Sequence, residues 1–357
     1  MYLKKNQHLY DIKRNRIPEP SNVVLRLQRN EKPDNWPEEF IDSIYNSLPK
    51  DILQKYPDAV PFYDKLASFL NVPQENLLVT SGIDEAIKTL IMLSCDSGDS
   101  FAVPMPGYAM YIVYSKLFNT RLFPIEYDPN RFMSPEELII IIPDDIKILF
   151  LPNPCQPIEN CYNVKQLSII ADYCLMKNIL FAVDEAYHFF GAQTAIPLVE
   201  KFDNLIVLRS FSKAFGAASI RLGYAIGQPK VIDPLSAIRL AHEANAFSLN
   251  IGSLLLDCFN EEIKRSINDI CQGRDYLRES AIKNGFNAWG KKSNCVLIEI
   301  ETEEKMKQIT ESLKTKGIYV KGGFQKPFNH HMLVTCGPLQ VMKDFFNEFL
   351  TILEELK

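Results

Sequence analysis

No two of the eight cysteines, at positions 95, 155, 161, 174, 258, 271, 295 and 336, stand in C-x-x-C spacing. That scatter excludes a zinc site or redox motif built on paired thiols and leaves most cysteines as small buried hydrophobes. His242-Glu243 opens an H-E-x-x-H motif, but position 246 is Ala, so a metalloprotease reading fails and no metal is expected. No apolar run approaches the roughly 18 residues of a membrane span, which argues against a membrane partner. No block of Lys and Arg occurs and the net charge is −5, so nothing points to a nucleic-acid surface. There is no G-x-G-x-x-G, no Walker loop, no repeat and no low-complexity tract. Met1-Tyr2-Leu3-Lys4-Lys5 runs into polar residues, not an apolar signal core, and the expectation is a cytoplasmic protein.

What the chain does have is length and alternation. Its 357 residues allow a large core and two domains. Short apolar runs at 77–80, 101–103, 147–151, 179–183 and 204–208 alternate with helical stretches such as 37–48, which argues for a mostly parallel sheet covered by helices. Ligands of open α/β sheets bind beyond the carboxyl ends of the strands, so residues just after each run are the candidates. Past residue 235 the pattern becomes helix 254–284, strand 294–300, helix 303–316, a short run at 317–320, strand 332–336 and helix 338–356, suiting a smaller α+β unit. The expected division is an arm over 1–30, a large α/β domain over 31–240 (with 31–45 contributing to the smaller one) and a small domain over 241–357.

The centre of the chain is Arg209-Ser210-Phe211-Ser212-Lys213-Ala214-Phe215-Gly216, with Arg221 beyond it. A lysine among hydroxyls and an arginine suits an amine held beside a phosphate. Such a lysine forms a Schiff base with a carbonyl compound if its surroundings let it lose a proton. Ser210, Ser212 and Arg221 are suited to gripping the phosphate near a helix start, where backbone N–H groups and the dipole favour anions. A second such start is Ser81-Gly82-Ile83-Asp84-Glu85, a glycine turn leading from strand to helix. The stretch around Lys213 resembles the fold-type I pyridoxal-phosphate enzymes, within them the class I/II aminotransferases, and most closely the histidinol-phosphate aminotransferase subgroup. Further matches follow in the family's order: Asn30-Glu31-Lys32-Pro33, Tyr56-Pro57-Asp58, Gly82 to Glu85, Pro106 to Tyr111, Asn153-Pro154 and Asp184-Glu185-Ala186-Tyr187.

The resemblance implies a mostly parallel, seven-stranded-type sheet with helices on both faces, and pyridoxal 5′-phosphate as cofactor on Lys213. It implies that Asp184 pairs with the ring nitrogen, a pairing that would also relieve the cost of a carboxylate at a buried strand end. Tyr187 and Gln156 fall on the ring hydroxyl, and Tyr108 on the ring face. Gly82, Ile83 and Asp84 offer backbone donors to the phosphate, beside Ser210, Ser212 and Arg221. Tyr56 reaches the cofactor phosphate of a second subunit, so a homodimer with a shared active site is expected.

Two departures bear on the substrate. The family's N-P-x-N-P-T-G has Gln156 at its second Asn and Ile158-Glu159 for Thr-Gly. Aligning Thr335-x-Gly337 with the family's substrate-binding strand puts Leu333 at the arginine that clamps a carboxylate, and Lys321 at a nearby arginine. A leucine cannot replace a guanidinium. The expected acceptor or product therefore lacks an α-carboxylate, for example a small phosphorylated keto or amino alcohol, with Lys321, His330 or His331 as alternative contacts for a phosphate or carboxylate. His242-Glu243 and Gln156 lean toward the polysaccharide-biosynthesis relatives. The expected activity is an aminotransferase; an amino-acid-phosphate decarboxylase and a non-catalytic, cofactor-binding regulatory protein remain open as alternatives.

Overall fold

The computed structural model of the protein describes residues 8–10, 12–14, 16, 18 and 20–356. The Met1–Lys5 segment lies outside the described residues. In chain order the strands are β1 (Leu25–Leu27), β2 (Leu77–Thr80), β3 (Ser100–Met105), β4 (Arg121–Glu126), β5 (Ile146–Pro152), β6 (Leu180–Asp184), β7 (Leu205–Ser210), β8 (Gly223–Gly227), β9 (Ala288–Trp289), β10 (Cys295–Glu299), β11 (Ile318–Val320) and β12 (His331–Thr335). The helices are α1 (Glu38–Asn46), α2 (Val60–Leu70), α3 (Ile83–Ser94), α4 (Met110–Phe118), α5 (Pro135–Ile141), α6 (Val164–Met176), α7 (Pro229–Ala237), α8 (Ala246–Asp257), α9 (Lys264–Lys283), α10 (Glu303–Thr315) and α11 (Leu339–Glu355).

Seven strands form the main sheet in the order β2-β8-β7-β6-β5-β3-β4. Only β8 runs against its neighbours, β2 and β7; the other pairings are parallel. Both faces of this sheet are covered, so its central strands are apolar throughout instead of alternating. On β7, Leu205 and Val207 pack into the cluster that holds Leu167 and Ile170 of α6. Ile206 and Leu208, pointing the other way, join Ile87 and Leu90 of α3. Each such side chain contributes about 1.5–3 kcal/mol by leaving water.

Local signals set the helix ends. Ser134 with Glu137 and Asn163 with Gln166 form reciprocal capping boxes at the starts of α5 and α6, each cap stabilising by about 1 kcal/mol. Asn71 and Asn119 end α2 and α4 in the left-handed region at φ 53°. The helix expected over 254–284 is two helices: α8 starts at Ala246, and a π turn over Phe259–Ile263 leads into α9. That turn sets Phe259 against Phe69, Phe189 and Phe215, with ring centroids 4.9, 5.1 and 5.6 Å away.

A second sheet, β12-β10-β9, is antiparallel and packs with α9 and α10, against which α11 lies. The stretch expected as an arm contributes a strand: β1 pairs in parallel with β11, Leu25 opposite Ile318. Strands β4 and β8 had no clear sequence signal. The first carries Pro124, tolerated because β4 is an edge strand, and the second is framed by Gly223 and Gly227.

One buried ion pair ties the end of β6 to β7. Glu185 and Arg209 are 1% and 4% exposed. Arg209 Nη2 lies 2.8 Å and Nε 2.9 Å from Glu185 Oε2. Thr194 Oγ1 donates to the same oxygen at 2.9 Å, the Ala195 N–H donates to Oε1, and the guanidinium lies 5.2 Å from the Phe189 ring. Removing one member would leave a buried, unpaired charge. Arg209→Met is expected to destabilise the protein by about 3–5 kcal/mol in urea unfolding, with Arg209→Met/Glu185→Leu recovering much of the loss.

Candidate active site

The site is assembled where strand ends meet. Because β8 is reversed, its first residue lies beside the carboxyl ends of both neighbours: Gly223 pairs with Thr80 of β2 and with Ser210 of β7. This register brings together the turn before α3, the serines after β7 and Arg221 before β8. The packing leaves no room for side chains at the crossing. A Cβ on Gly223 would lie 2.8 Å from Gly82 Cα, and one on Gly82 would lie 2.9 Å from Arg221 Nη2. Gly82 also has φ 74°, a conformation only glycine adopts freely.

Around that crossing, Arg221 Nη1 donates to Ser212 Oγ at 3.4 Å and to the Ala218 carbonyl at 3.2 Å. The Ser212 N–H donates to Ser210 Oγ at 3.0 Å. Helix α3 starts at Ile83, directly after Gly82. A guanidinium, two hydroxyls and the free N–H groups of a helix start form an anion cradle. Ser210, Ser212, Arg221, Gly82 and Ile83 are thus brought together as expected. Asp84 adds a side-chain contact beyond its expected backbone role: it accepts from the Tyr108 hydroxyl at 3.0 Å.

Two residues further along the sheet edge stand Asp184 and Lys213. Asp184 closes β6 and is buried. Burial pushes its pKa up to about 6, against the pull of the Ala186 N–H (3.0 Å), the Tyr111 hydroxyl (3.4 Å) and Lys213. Lys213 Nζ donates to the Arg29 carbonyl at 2.9 Å and lies 5.8 Å from the Tyr187 ring centroid. Desolvation lowers its pKa to about 8; Glu31 opposes the shift and Arg221 adds to it. The fold therefore holds, near each other, an amine whose pKa is lowered toward neutrality and a carboxyl whose pKa is raised toward it.

A third group faces them. The Tyr187 hydroxyl donates to Gln156 Oε1 at 3.2 Å. Asn30 Nδ2 donates to Gln156 Oε1 and to the Tyr187 oxygen, at 2.5 and 2.9 Å. Gln156 Nε2 points at Cys295 Sγ. Asn30, at φ 55°, also exchanges hydrogen bonds with Thr335 of β12 and accepts from Asn294. Asn30, Tyr111 and Cys295 were not among the expected site residues. Asn30 and Tyr111 lay inside quoted motifs, whereas Cys295 carried no signal of its own.

Tyr108 is 47% exposed and edge-on to Tyr111, with centroids 6.3 Å apart. Tyr56 is 84% exposed and stacked on His242 at 4.6 Å, outside the Lys213 group within one chain. Leu333 is buried at 1% exposure and bridges Lys321 through its backbone. It shares a strand face with Thr335, two residues on, which reaches Asn30. The Lys321 ammonium sits 5.3 Å over the Phe324 ring, and lost hydration lowers its pKa, the Cys295 thiol opposing. His330 and His331 group with Glu299, Trp289 and Phe328 instead of with Lys213.

The family of class I and II aminotransferases matches residues 21–339. The chain belongs to that family, whose members work with pyridoxal 5′-phosphate. Among curated proteins, the histidinol-phosphate aminotransferase of Thermoanaerobacter pseudethanolicus is 29% identical over 300 residues, 83% of each chain. That of Methanocaldococcus jannaschii is 27% identical over 343 residues, 93% of this chain and 89% of the other. Among solved structures, histidinol-phosphate aminotransferase from Sinorhizobium meliloti in complex with pyridoxal-5′-phosphate has a TM-score of 0.85 at 20% identity, covering 94% of this chain and 92% of that one. L-threonine-O-3-phosphate decarboxylase from Porphyromonas gingivalis has a TM-score of 0.77 at 16% identity, over 93% and 100% of the two chains. At these identities the structures establish the fold.

The residues present fit the cofactor. The cradle suits a phosphate, the Asp184 carboxyl suits a cationic ring nitrogen, and the Lys213 amine suits an aldehyde. Lys213 carries a pH signature in the cofactor-free protein. Its folded pKa, about 8, is below the usual 10.5, so the unfolded chain binds more protons between those values. Stability contributed at this position therefore rises with pH across that window. Uptake of pyridoxal phosphate, followed by absorbance, should accelerate with a midpoint near pH 8. Lys213→Met should remove both dependences.

Proposed function

We propose that the chain is an aminotransferase that moves an amino group between an amino-acid donor and a small phosphorylated keto or amino substrate, of the histidinol-phosphate type. The observation that carries this reading is the placement of Lys213, Asp184 and the Arg221 cradle at neighbouring strand ends of one sheet. Lys213 would be the amine that holds the cofactor, and Asp184 would pair with its ring nitrogen. Ser210, Ser212, Arg221 and the backbone of Gly82, Ile83 and Asp84 bind its phosphate. Tyr187, with Gln156 behind it, would hold the ring hydroxyl, and Tyr108 would cover the ring. When bound, the cofactor supplies an electron sink. The protein would supply aim and proton transfer: the Lys213 Nζ, an amine whose pKa is lowered to about 8, would take and return the proton of the substrate carbon that bears nitrogen.

The similarity to histidinol-phosphate aminotransferases supports a phosphorylated substrate, and Leu333, which puts no guanidinium on the β12 face that also carries Thr335, supports one that lacks an α-carboxylate. In this reading the chain acts as a homodimer in the cytoplasm, with Tyr56 completing the phosphate site of the second subunit. Among the described residues no helix is long and apolar enough to cross a membrane. The domain division is likewise a proposal: an arm over 1–30, a cofactor domain over 31–240, with 31–45 contributing to the smaller domain, and that smaller domain over 241–357.

Leu333 also suits a second reading, an amino-acid-phosphate decarboxylase, in which the carboxylate leaves instead of being clamped. The experiment is a panel of amino donors and phosphorylated acceptors, each beside its dephosphorylated counterpart, with keto acid and carbon dioxide measured together. Keto acid formed with a strong preference for the phosphorylated partner supports the proposal. Carbon dioxide released without keto acid selects the decarboxylase, and efficient turnover of ordinary amino acids without phosphate contradicts both. Lys213→Ala should lower turnover by about 10²–10⁴-fold in the same assay.

A further inference from the structure

We propose that Glu299, His330 and His331 form a binding site for a zinc-class divalent cation, separate from the Lys213 group. Glu299 ends β10 and His331 begins β12, and the antiparallel register sets these two residues directly opposite each other. His330 precedes β12, and its ring lies 4.4 Å from that of His331. One carboxylate oxygen and one nitrogen from each ring lie within 4.8 Å of one another. His330 Nε2 is 3.0 Å from Glu299 Oε1. In a tetrahedral zinc site, ligand atoms about 2.0–2.1 Å from the metal are roughly 3.3 Å apart. The cluster thus needs a contraction of roughly 1.5 Å at its widest, within reach of side-chain rotation.

The observation that separates this cluster from an ordinary surface histidine pair is His331 itself. It is only 4% exposed, and its Nδ1 has no hydrogen-bond partner among the described residues. A buried ring nitrogen without a partner is costly. Its ring is fixed by Trp289 at 5.8 Å and Phe328 at 5.2 Å. The other Glu299 oxygen accepts from Asn287 Nδ2 at 2.8 Å, which orients the carboxylate as outer-shell groups do in metal sites. The cluster opens into a cavity of about 410 Å³ that Glu126 and Asp128 also line. That leaves room for a water ligand and adds negative charge opposite the cation. Two imidazoles and a carboxylate favour zinc or cobalt over magnesium or calcium, which prefer all-oxygen shells.

The test uses the full chain loaded with pyridoxal phosphate, freed of metals by chelator and titrated with Zn²⁺ by calorimetry and with Co²⁺ by visible absorbance. One equivalent is expected to bind, with a cobalt band of four- or five-coordinate type. His330→Ala, the partly exposed ligand, and Glu299→Gln should each weaken binding at least about 100-fold, beyond the roughly 10–100-fold typical of an outer-shell change. Asn287→Ala should weaken it within that smaller range. His331→Gln is a less clean variant because the residue is buried. Wild-type affinity no tighter than that of His330→Ala and Glu299→Gln overturns the proposal, as does a stoichiometric metal that all three variants retain, since it would then sit on other ligands.

Discussion

The site depends on the ion pair between Glu185 and Arg209. Each partner sits one residue from a group of the candidate site: Glu185 follows Asp184, and Arg209 precedes Ser210. Two strand ends are thereby locked at a fixed spacing before any ligand arrives. Desolvating both charges is expensive, and their attraction only roughly offsets that cost. The pair is best understood as a device for position. Thr194, the Ala195 N–H and the Phe189 ring complete its environment and fix the loop that follows β6.

On that frame, strand direction does the rest. A fully parallel sheet would put the start of β8 at the opposite edge, with Arg221 about a strand length from Lys213. Reversing one strand delivers the arginine to the edge where helix α3 begins. The second sheet enters through Asn30, which joins Thr335 of β12 to Tyr187 and Gln156 after β6 and β5. The opposed pKa shifts of Asp184 and Lys213 share a cause, removal from water, which disfavours charge on both. A charged aromatic ligand with its own anionic tail would relieve both.

Much of this was legible in the chain. Asp184, Ser210 and Lys213 could be placed because each stands at or just beyond the end of a short apolar run, and the end of a buried strand is where a polar residue needs a reason. Gly82 was legible through turn chemistry. What escaped was set by contacts between distant segments. Strand β1 pairs with residues almost three hundred positions away, and nothing local in Leu25-Arg26-Leu27 announces a partner. Strand β8 is short, framed by glycines, and defined by register. Cys295 appeared as one more buried thiol, and Glu299 met His331 only once β10 and β12 were paired.

The hydrogen bond from Lys213 Nζ to the Arg29 carbonyl gives the N-terminal segment a stake in loading. The same nitrogen cannot stay docked on that backbone oxygen in the same way and also become the attachment point of an aldehyde. In the proposed function, filling the cleft would therefore withdraw one tether from the residue next to Asn30, whose own bonds to Thr335 do not involve Lys213. Empty and loaded forms should differ in how firmly the leading segment is held, and an amide-exchange map of residues 25–31 would register the cofactor from outside the ring's own contacts.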